Sequence, residues 1–236
     1  MMNLGGMRMR LKVLASGSAG NSYILESETE VLVIEAGVPF KELIRYVDYR
    51  KIVGCLVSHE HKDHAGYVGQ YIMRGIKVYS PYTVSRNEEV LRFGGFNYIP
   101  FKNHHDVPCY GFKINHKDLG QLIFATDTGY IEYTFKGTNH WLIECNYSKE
   151  ILDERVDNGL NPVLADRIVR DHMSLETCKE FFQANDLSKT RNIVLLHLSD
   201  SNSHSEQFKI EIRELTSKQT YIAEKGLEID LSLCPF

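Results

Sequence analysis

The chain has 236 residues, 43% of them hydrophobic and 25% charged, the profile of a soluble globular protein with one sizeable core. Its formal net charge of -4 excludes a uniformly basic coat for nucleic acid, though not a local basic patch. Five dispersed cysteines with no CxxC spacing exclude a disulfide framework and a structural zinc knot, and read as reduced core thiols.

The opening MMNLGGMRMRLKVLAS is basic but lacks a long apolar run. Neither a signal peptide nor a membrane span is expected, and the cytoplasm is the expected location. Methionines at 1, 2, 7 and 9 leave the true start open within residues 1–9. Three short β-runs follow, Leu11–Ala15, Ser22–Glu26 and Val31–Glu35, separated by Gly, Ser and Asn clusters. Pro39 stands where a helix would begin, and Phe40, Leu43, Ile44 and Val47 recur at helical spacing. Val53–Ser58 reads as a buried strand that delivers polar residues at its end. A helix over Ala65–Arg74, a strand at Ile76–Tyr79 and a helix after Pro81 come next.

In the middle, Tyr110–Asn115 and Gln121–Thr126 read as strands joined by a turn through Lys117, Asp118 and Gly120, and Trp141–Glu144 as another. Lys149–Val156 and Val163–Val169 have helical patterns, and Ser174 is placed to cap a helix running to about Ala184. Ile193–Leu196 is a strand, Glu206–Leu215 a helix, and Thr220–Ala223 and Leu227–Leu231 are β-like. With no repeat, low-complexity tract or linker, the reading is a single domain over 1–236, α/β or α+β, with two sheet-rich halves.

The sharpest feature is SHEHKDH, Ser58 to His64, directly after the apolar Val53–Ser58 run. On an extended segment, residues 59, 61 and 63 share one side, and a turn into a helix at 63–65 swings His64 beside Asp63. Three imidazoles and a carboxylate at one strand end repel as cations and are costly to desolvate. Coordination of a divalent ion by neutral imidazoles removes both problems. The competing reading is an exposed loop that happens to be rich in histidine.

This heptapeptide resembles the HxHxDH signature of the metallo-β-lactamase fold hydrolases. The resemblance extends in order along the chain, through His105–Asp106 (with His104 as a competing choice), Asp127 in FATDTG and His197 in VLLHLS. It implies that His59, His61 and His105 hold one ion, that Asp63, His64 and His197 hold a second, and that Asp127 bridges them. SGSAGNS from Ser16, VIEAG around Glu35, IECN around Glu144 and HLS with Asn202 downstream resemble the YycJ (WalJ)-like branch, related to tRNase Z and RNase J. Where that branch has an Asp supporting the metal loop, this chain has Glu35, one methylene longer. His172 in DHMS is similar to the histidine that serves the leaving oxygen in tRNase Z-like phosphodiesterases; the alternative is an ordinary polar residue at a helix start. His116, His140 and His204 match no motif and are read as surface or structural.

The fold implied is α+β, a four-layer αββα metallo-β-lactamase sandwich. The cofactors implied are two divalent ions, zinc first and manganese second, since imidazole and carboxylate donors are present and thiolates are not. Such a pair activates water and stabilises oxyanion charge, with Asp63 orienting or deprotonating the water and His172 serving the departing oxygen. The activity implied is a phosphodiesterase, a YycJ-like exonuclease on DNA. Too few residues separate Asp127 from His197 for an RNase J-like cap domain, and no Gly/Pro-rich basic arm of the tRNase Z kind is present. No Lys/Arg run exceeds two residues, so cleavage of cyclic or other small nucleotides is the rival reading. A thioester or lactam hydrolase and a non-catalytic metal-bound module rank below it. No membrane partner is expected; the sequence does not fix the oligomeric state, and the resemblance leaves a homodimer open, since one is common among such phosphodiesterases.

Overall fold

The computed structural model describes residues 9–81 and 91–233; the helix expected after Pro81, together with Cys234, lies outside them. The first sheet is six-stranded, in the order β13-β1-β2-β3-β4-β5, formed by Arg10–Ala15 (β1), Ser22–Glu26 (β2), Val31–Ile34 (β3), Ile52–Leu56 (β4), Val78–Tyr79 (β5) and Glu228–Asp230 (β13). Strands β13, β1, β2 and β3 pair antiparallel, whereas β3, β4 and β5 run parallel. The second sheet has the order β12-β11-β10-β9-β8-β7-β6. It is formed by Leu91–Phe93 (β6), Phe96–Lys102 (β7), Tyr110–His116 (β8), Gly120–Ala125 (β9), His140–Glu144 (β10), Asn192–Leu196 (β11) and Gln219–Ile222 (β12). Strands β9 to β12 are parallel, and β6 pairs antiparallel with β7. Among the described residues, seven α-helices accompany these mixed sheets: Phe40–Leu43 (α1), Lys62–Ala65 (α2), Val68–Ile72 (α3), Lys149–Asp157 (α4), Pro162–Asp171 (α5), Leu175–Gln183 (α6) and Ser205–Thr216 (α7).

The chain divides into two compact units, one drawn from Met1–Ile99, Ile114–Gln121 and Glu224–Phe236, the other from Pro100–Lys113 and Leu122–Ala223. In the first, Ile24, Val31, Val33, Cys55 and Val57 of the sheet pack with Phe40, Leu43 and Tyr71 of the helices. In the second, Trp141, Ile143, Ile193 and Leu195 from neighbouring parallel strands meet Cys178, Phe181 and Phe182 of α6 and Phe208 and Ile212 of α7. The i, i+3, i+4 spacing of the α6 and α7 residues turns one apolar stripe of each helix to the strands. Every residue of β10 is buried, as expected of a parallel strand covered on both faces.

Local differences from the sequence reading have local causes. The helix expected over 65–74 is two short ones, because α2 stops at Gly66 and the Tyr67 N–H turns away to the Ala36 carbonyl. The Phe40–Val47 periodicity yields only the four-residue α1, followed by turns closed by Arg45 N–H to Glu42 and Tyr46 N–H to Leu43. Strand β3 ends one residue early because Glu35 turns left-handed, φ 67°. Ser174 caps α6 as expected, accepting from the Thr177 N–H at 3.1 Å.

Trp141 is the largest fully buried side chain. It meets Phe135, Phe181 and Phe182 edge-on, and its indole N–H donates to Thr190 Oγ1 at 2.8 Å. Trp141→Ala is expected to cost about 3–5 kcal/mol, read as a fall in the denaturant midpoint. As a control, Val163→Ala, at a side chain 74% exposed, is expected to stay within about 0.5 kcal/mol of the parent.

Candidate metal centre

In the first unit, β4 delivers the buried Ser58 and His59, and α2 starts three residues later with His61 at its N-terminus. The His61 carbonyl accepts from the His64 N–H at 2.9 Å, and this first turn brings His64 round to the strand end. The His59 ring lies 4.7 Å from that of His61 and 4.2 Å from that of His64. Asp63 Oδ2 is 3.2 Å from His64 Nε2. Four potential ligands thus stand at one strand end, as the alternation of an extended segment followed by a turn requires.

Two loops brace this cluster. Asn21, fully buried, donates its N–H to the Asp63 carbonyl at 2.7 Å and places Nδ2 2.9 Å from His64 Nε2. Its Oδ1 accepts from the Gly17 N–H and the Tyr23 hydroxyl. The SGSAGNS segment is therefore a support for the histidine motif. Gly37 passes so close that a Cβ there would lie 1.7 Å from the Asp63 carbonyl oxygen, so no other residue fits. Glu35, also buried, accepts from the Ser58 N–H with both oxygens at 3.3 Å and faces His64 Nδ1 at 3.5 Å. The longer carboxylate reaches the strand-end loop and a histidine together. The Ser58 hydroxyl is 2.8 Å from His59 Nδ1.

In the second unit, donor atoms of Asp127, Glu144, His172 and His197 all lie within 4.8 Å of one another. Asp127 follows β9 and His197 follows β11, both in the left-handed region at φ 51° and φ 54°. Non-glycine residues rarely adopt it, and it tends to appear at functional sites. Glu35, Asp127, His197 and Ser217 are the non-glycine residues with positive φ among those described, so three of the four belong to candidate site loops. The Thr126 hydroxyl donates to Asp127 Oδ2 at 2.8 Å.

Glu144 is the organising group. Its Oε1 accepts from His172 Nδ1 at 2.7 Å and from His197 Nδ1 at 3.2 Å, and its Oε2 from the Thr128 and Met173 N–H groups at 2.9 and 3.2 Å. All four contacts fall on a fully buried carboxylate. They use its acceptor capacity, which makes it a positioning group for two histidines. Burial works against the charged form, but His172 and His197 outweigh it and hold Glu144 below the usual carboxylate range. Burial likewise disfavours the His172 imidazolium, yet the nearby Glu144 carboxylate overrides it and raises His172 to about 9. The sequence reading noted Glu144 only within a branch-like motif and assigned it no role at the site. His172 stands between α5 and α6 in extended conformation, 22% exposed, and does not start a helix.

His104 is stacked on Tyr130, ring centroids 4.0 Å apart, with Nε2 2.8 Å from Glu132. The His105 side chain is 3% exposed, Nε2 lies 3.2 Å from Asp106, and its ring is 6.3 Å from that of His172. Of the histidines outside the motifs, His116 is buried against Glu30 at 3.0 Å and His140 lies buried in β10. Both are structural and not at the surface.

The donor chemistry fits divalent metal: imidazoles and carboxylates at strand ends, tied from behind by carboxylate, hydroxyl and amide groups. Thiolate has no part in it. Burial pushes the Cys145 thiol, next to Glu144 in the chain, well above its ordinary value, and its neighbours are core residues.

No family model matches the chain. It is 28% identical to the exodeoxyribonuclease WalJ of Streptococcus pneumoniae over 84% of each chain. It is also 25% identical to the exodeoxyribonuclease YycJ of Bacillus anthracis, over 94% of this chain and 95% of that one. The metallo-β-lactamase fold protein YhfI of Bacillus subtilis superposes with a TM-score of 0.72 at 17% identity, covering 94% of this chain and 99% of YhfI. The chain has the metallo-β-lactamase fold and is similar in sequence to WalJ and YycJ. The fold expected from the histidine heptapeptide is the fold found. No helix among the described residues is long and apolar enough to cross a membrane.

Proposed function

We propose that the chain is a dinuclear metal-dependent phosphodiesterase that acts as an exonuclease on DNA. The observation that carries this reading is the Asp127–Glu144–His172–His197 cluster, in which Asp127, Glu144 and His197 stand at the ends of successive parallel strands, in a chain whose relatives are exodeoxyribonucleases. His59, His61 and His105 would hold one ion, and Asp63, His64 and His197 the other, with Asp127 shared. His104 is left out because it is engaged by Tyr130 and Glu132. Two divalent ions supply Lewis acidity that polarises a phosphodiester and acidifies water.

The chain's own groups do the rest. The Nδ1–H of His197 donated to Glu144 would leave Nε2 free for a metal ion, and the Ser58 hydroxyl would do the same for His59 when it accepts from Nδ1–H. The Thr126 hydroxyl orients Asp127. Asp63, less buried than its neighbour His64, takes a proton from the attacking water. His172 donates Nδ1–H to Glu144 and turns its other nitrogen to the departing oxygen, delivering a proton there.

The test is one sample stripped with EDTA and reloaded with zinc or manganese. It is assayed on end-labelled single- and double-stranded DNA, RNA and a panel of cyclic nucleotides. DNA shortening by the reloaded sample alone is expected. Turnover confined to cyclic nucleotides would move the function to small nucleotides, and no turnover of any phosphodiester would reject it.

A further inference from the structure

We propose that a groove on the first unit holds the single-stranded tail of the DNA substrate. The proposal rests on the exonuclease reading and deepens it. Two depressions, about 610 and 450 Å³, share Tyr49 and Arg74 in their walls and so adjoin one another on the surface. One end is marked by Tyr67, three residues beyond His64, and the other by Ile52, where β4 begins. Together these two depressions make up the channel.

Its chemistry is one-sided. Lys41, Arg74, Lys77 and Arg92 line it, as does Arg50, whose guanidinium is shared with Asp48 at 2.8 Å. Among the described residues no carboxylate lines either depression. Four cations besides the Asp48-paired Arg50, with no carboxylate among the described lining residues of a chain of net charge -4, are a segregation that favours a polyanion. Aromatic faces alternate with these cations. Tyr49 is 53% exposed and Tyr67 half-buried, while the buried Phe40 holds the Arg74 guanidinium 4.5 Å above its ring and so fixes that cation in the wall. Cations for phosphates interleaved with rings for bases are the requirements of a single strand bound without sequence preference. A duplex hides its bases and makes no use of the rings.

These cations come from separate segments, which is why the sequence shows no basic run. Lys41 lies in α1, Arg74 follows α3, Lys77 precedes β5 and Arg92 lies in β6.

Binding is read by fluorescence anisotropy with a hydrolysis-resistant, phosphorothioate-linked oligodeoxythymidylate, on the full chain and on Arg74→Glu/Lys77→Glu/Arg92→Glu. Arg74 also holds the Gln70 carbonyl, so Lys77→Glu/Arg92→Glu is measured beside it as the variant that spares α3. For single strands each phosphate contact contributes about 0.7 to the slope of log K against log salt, or roughly fivefold in affinity at 0.1 M. The triple variant is expected to bind about a hundredfold more weakly with a slope flatter by about two. The double variant should lie between it and the parent. Turnover of bis(p-nitrophenyl) phosphate, too small to occupy the channel, is expected to be unchanged in both. Parent-like affinity and salt slope in both variants would overturn the groove, and so would tighter binding of the matching RNA than of DNA. Loss of DNA binding in the variants, with no ester turnover even by the parent, would uphold the groove while rejecting the phosphodiesterase reading.

Discussion

Asp127→Asn is expected to lower DNA hydrolysis roughly 10³-fold and to reduce the metal held by the purified chain, with little change in folding. The argument is one of charge, because nearly everything else is conserved. Asn tolerates the left-handed backbone at φ 51° better than any other side chain of its size. Its carbonyl oxygen still accepts from the Thr126 hydroxyl now bound to Asp127 Oδ2. What disappears is the negative charge and second oxygen that would let one residue serve two ions. Metal content by atomic absorption, hydrolysis of end-labelled DNA and the melting temperature of the metal-free protein are measured together. Unaltered metal and activity would mean that Asp127 is a strand-end residue without a catalytic share.

The second large effect is expected at Glu144, through the residues it holds. Glu144→Gln replaces one acceptor oxygen by an NH₂ group at a site surrounded by four donors. Either the two histidines or the two backbone N–H groups then face a donor, and a buried group left unmatched costs about 1–3 kcal/mol. Loss of one outer partner of a metal ligand typically costs 10- to 100-fold. Two histidines depend on this carboxylate, so kcat is expected to fall about 10²- to 10³-fold, with KM for DNA nearly unchanged because Glu144 is fully buried. A rise in KM at constant kcat would contradict the positioning role.

How far the site could be read from the sequence follows from the span of each interaction. His59, His61, Asp63 and His64 fall within six residues, and the geometry of a strand end followed by a helical turn is local, so their clustering was legible. The Ser174 cap and the buried β10 run were legible for the same reason. Glu144 was not, because its partners are Thr128, His172, Met173 and His197. Nothing in the IECN tetrapeptide signals that a carboxylate inside a buried strand will meet two distant imidazoles. The left-handed conformations of Asp127 and His197 are imposed by the folded loops, and neither residue type announces them. SGSAGNS was recognised as a pattern, but its role as a brace on Asp63 and His64 needed the approach of Gly37. The basic channel was hidden for the complementary reason: its cations are scattered through the chain and gathered by folding.

A two-ion phosphodiesterase is tested most directly by metal titration read by activity. Zinc is added stepwise to the metal-free chain, and DNA hydrolysis is followed against the number of ions bound per chain. Little hydrolysis is expected at the first equivalent, and a rise that levels off at the second. Full activity with one ion bound, or none with two, would contradict a two-ion phosphodiesterase.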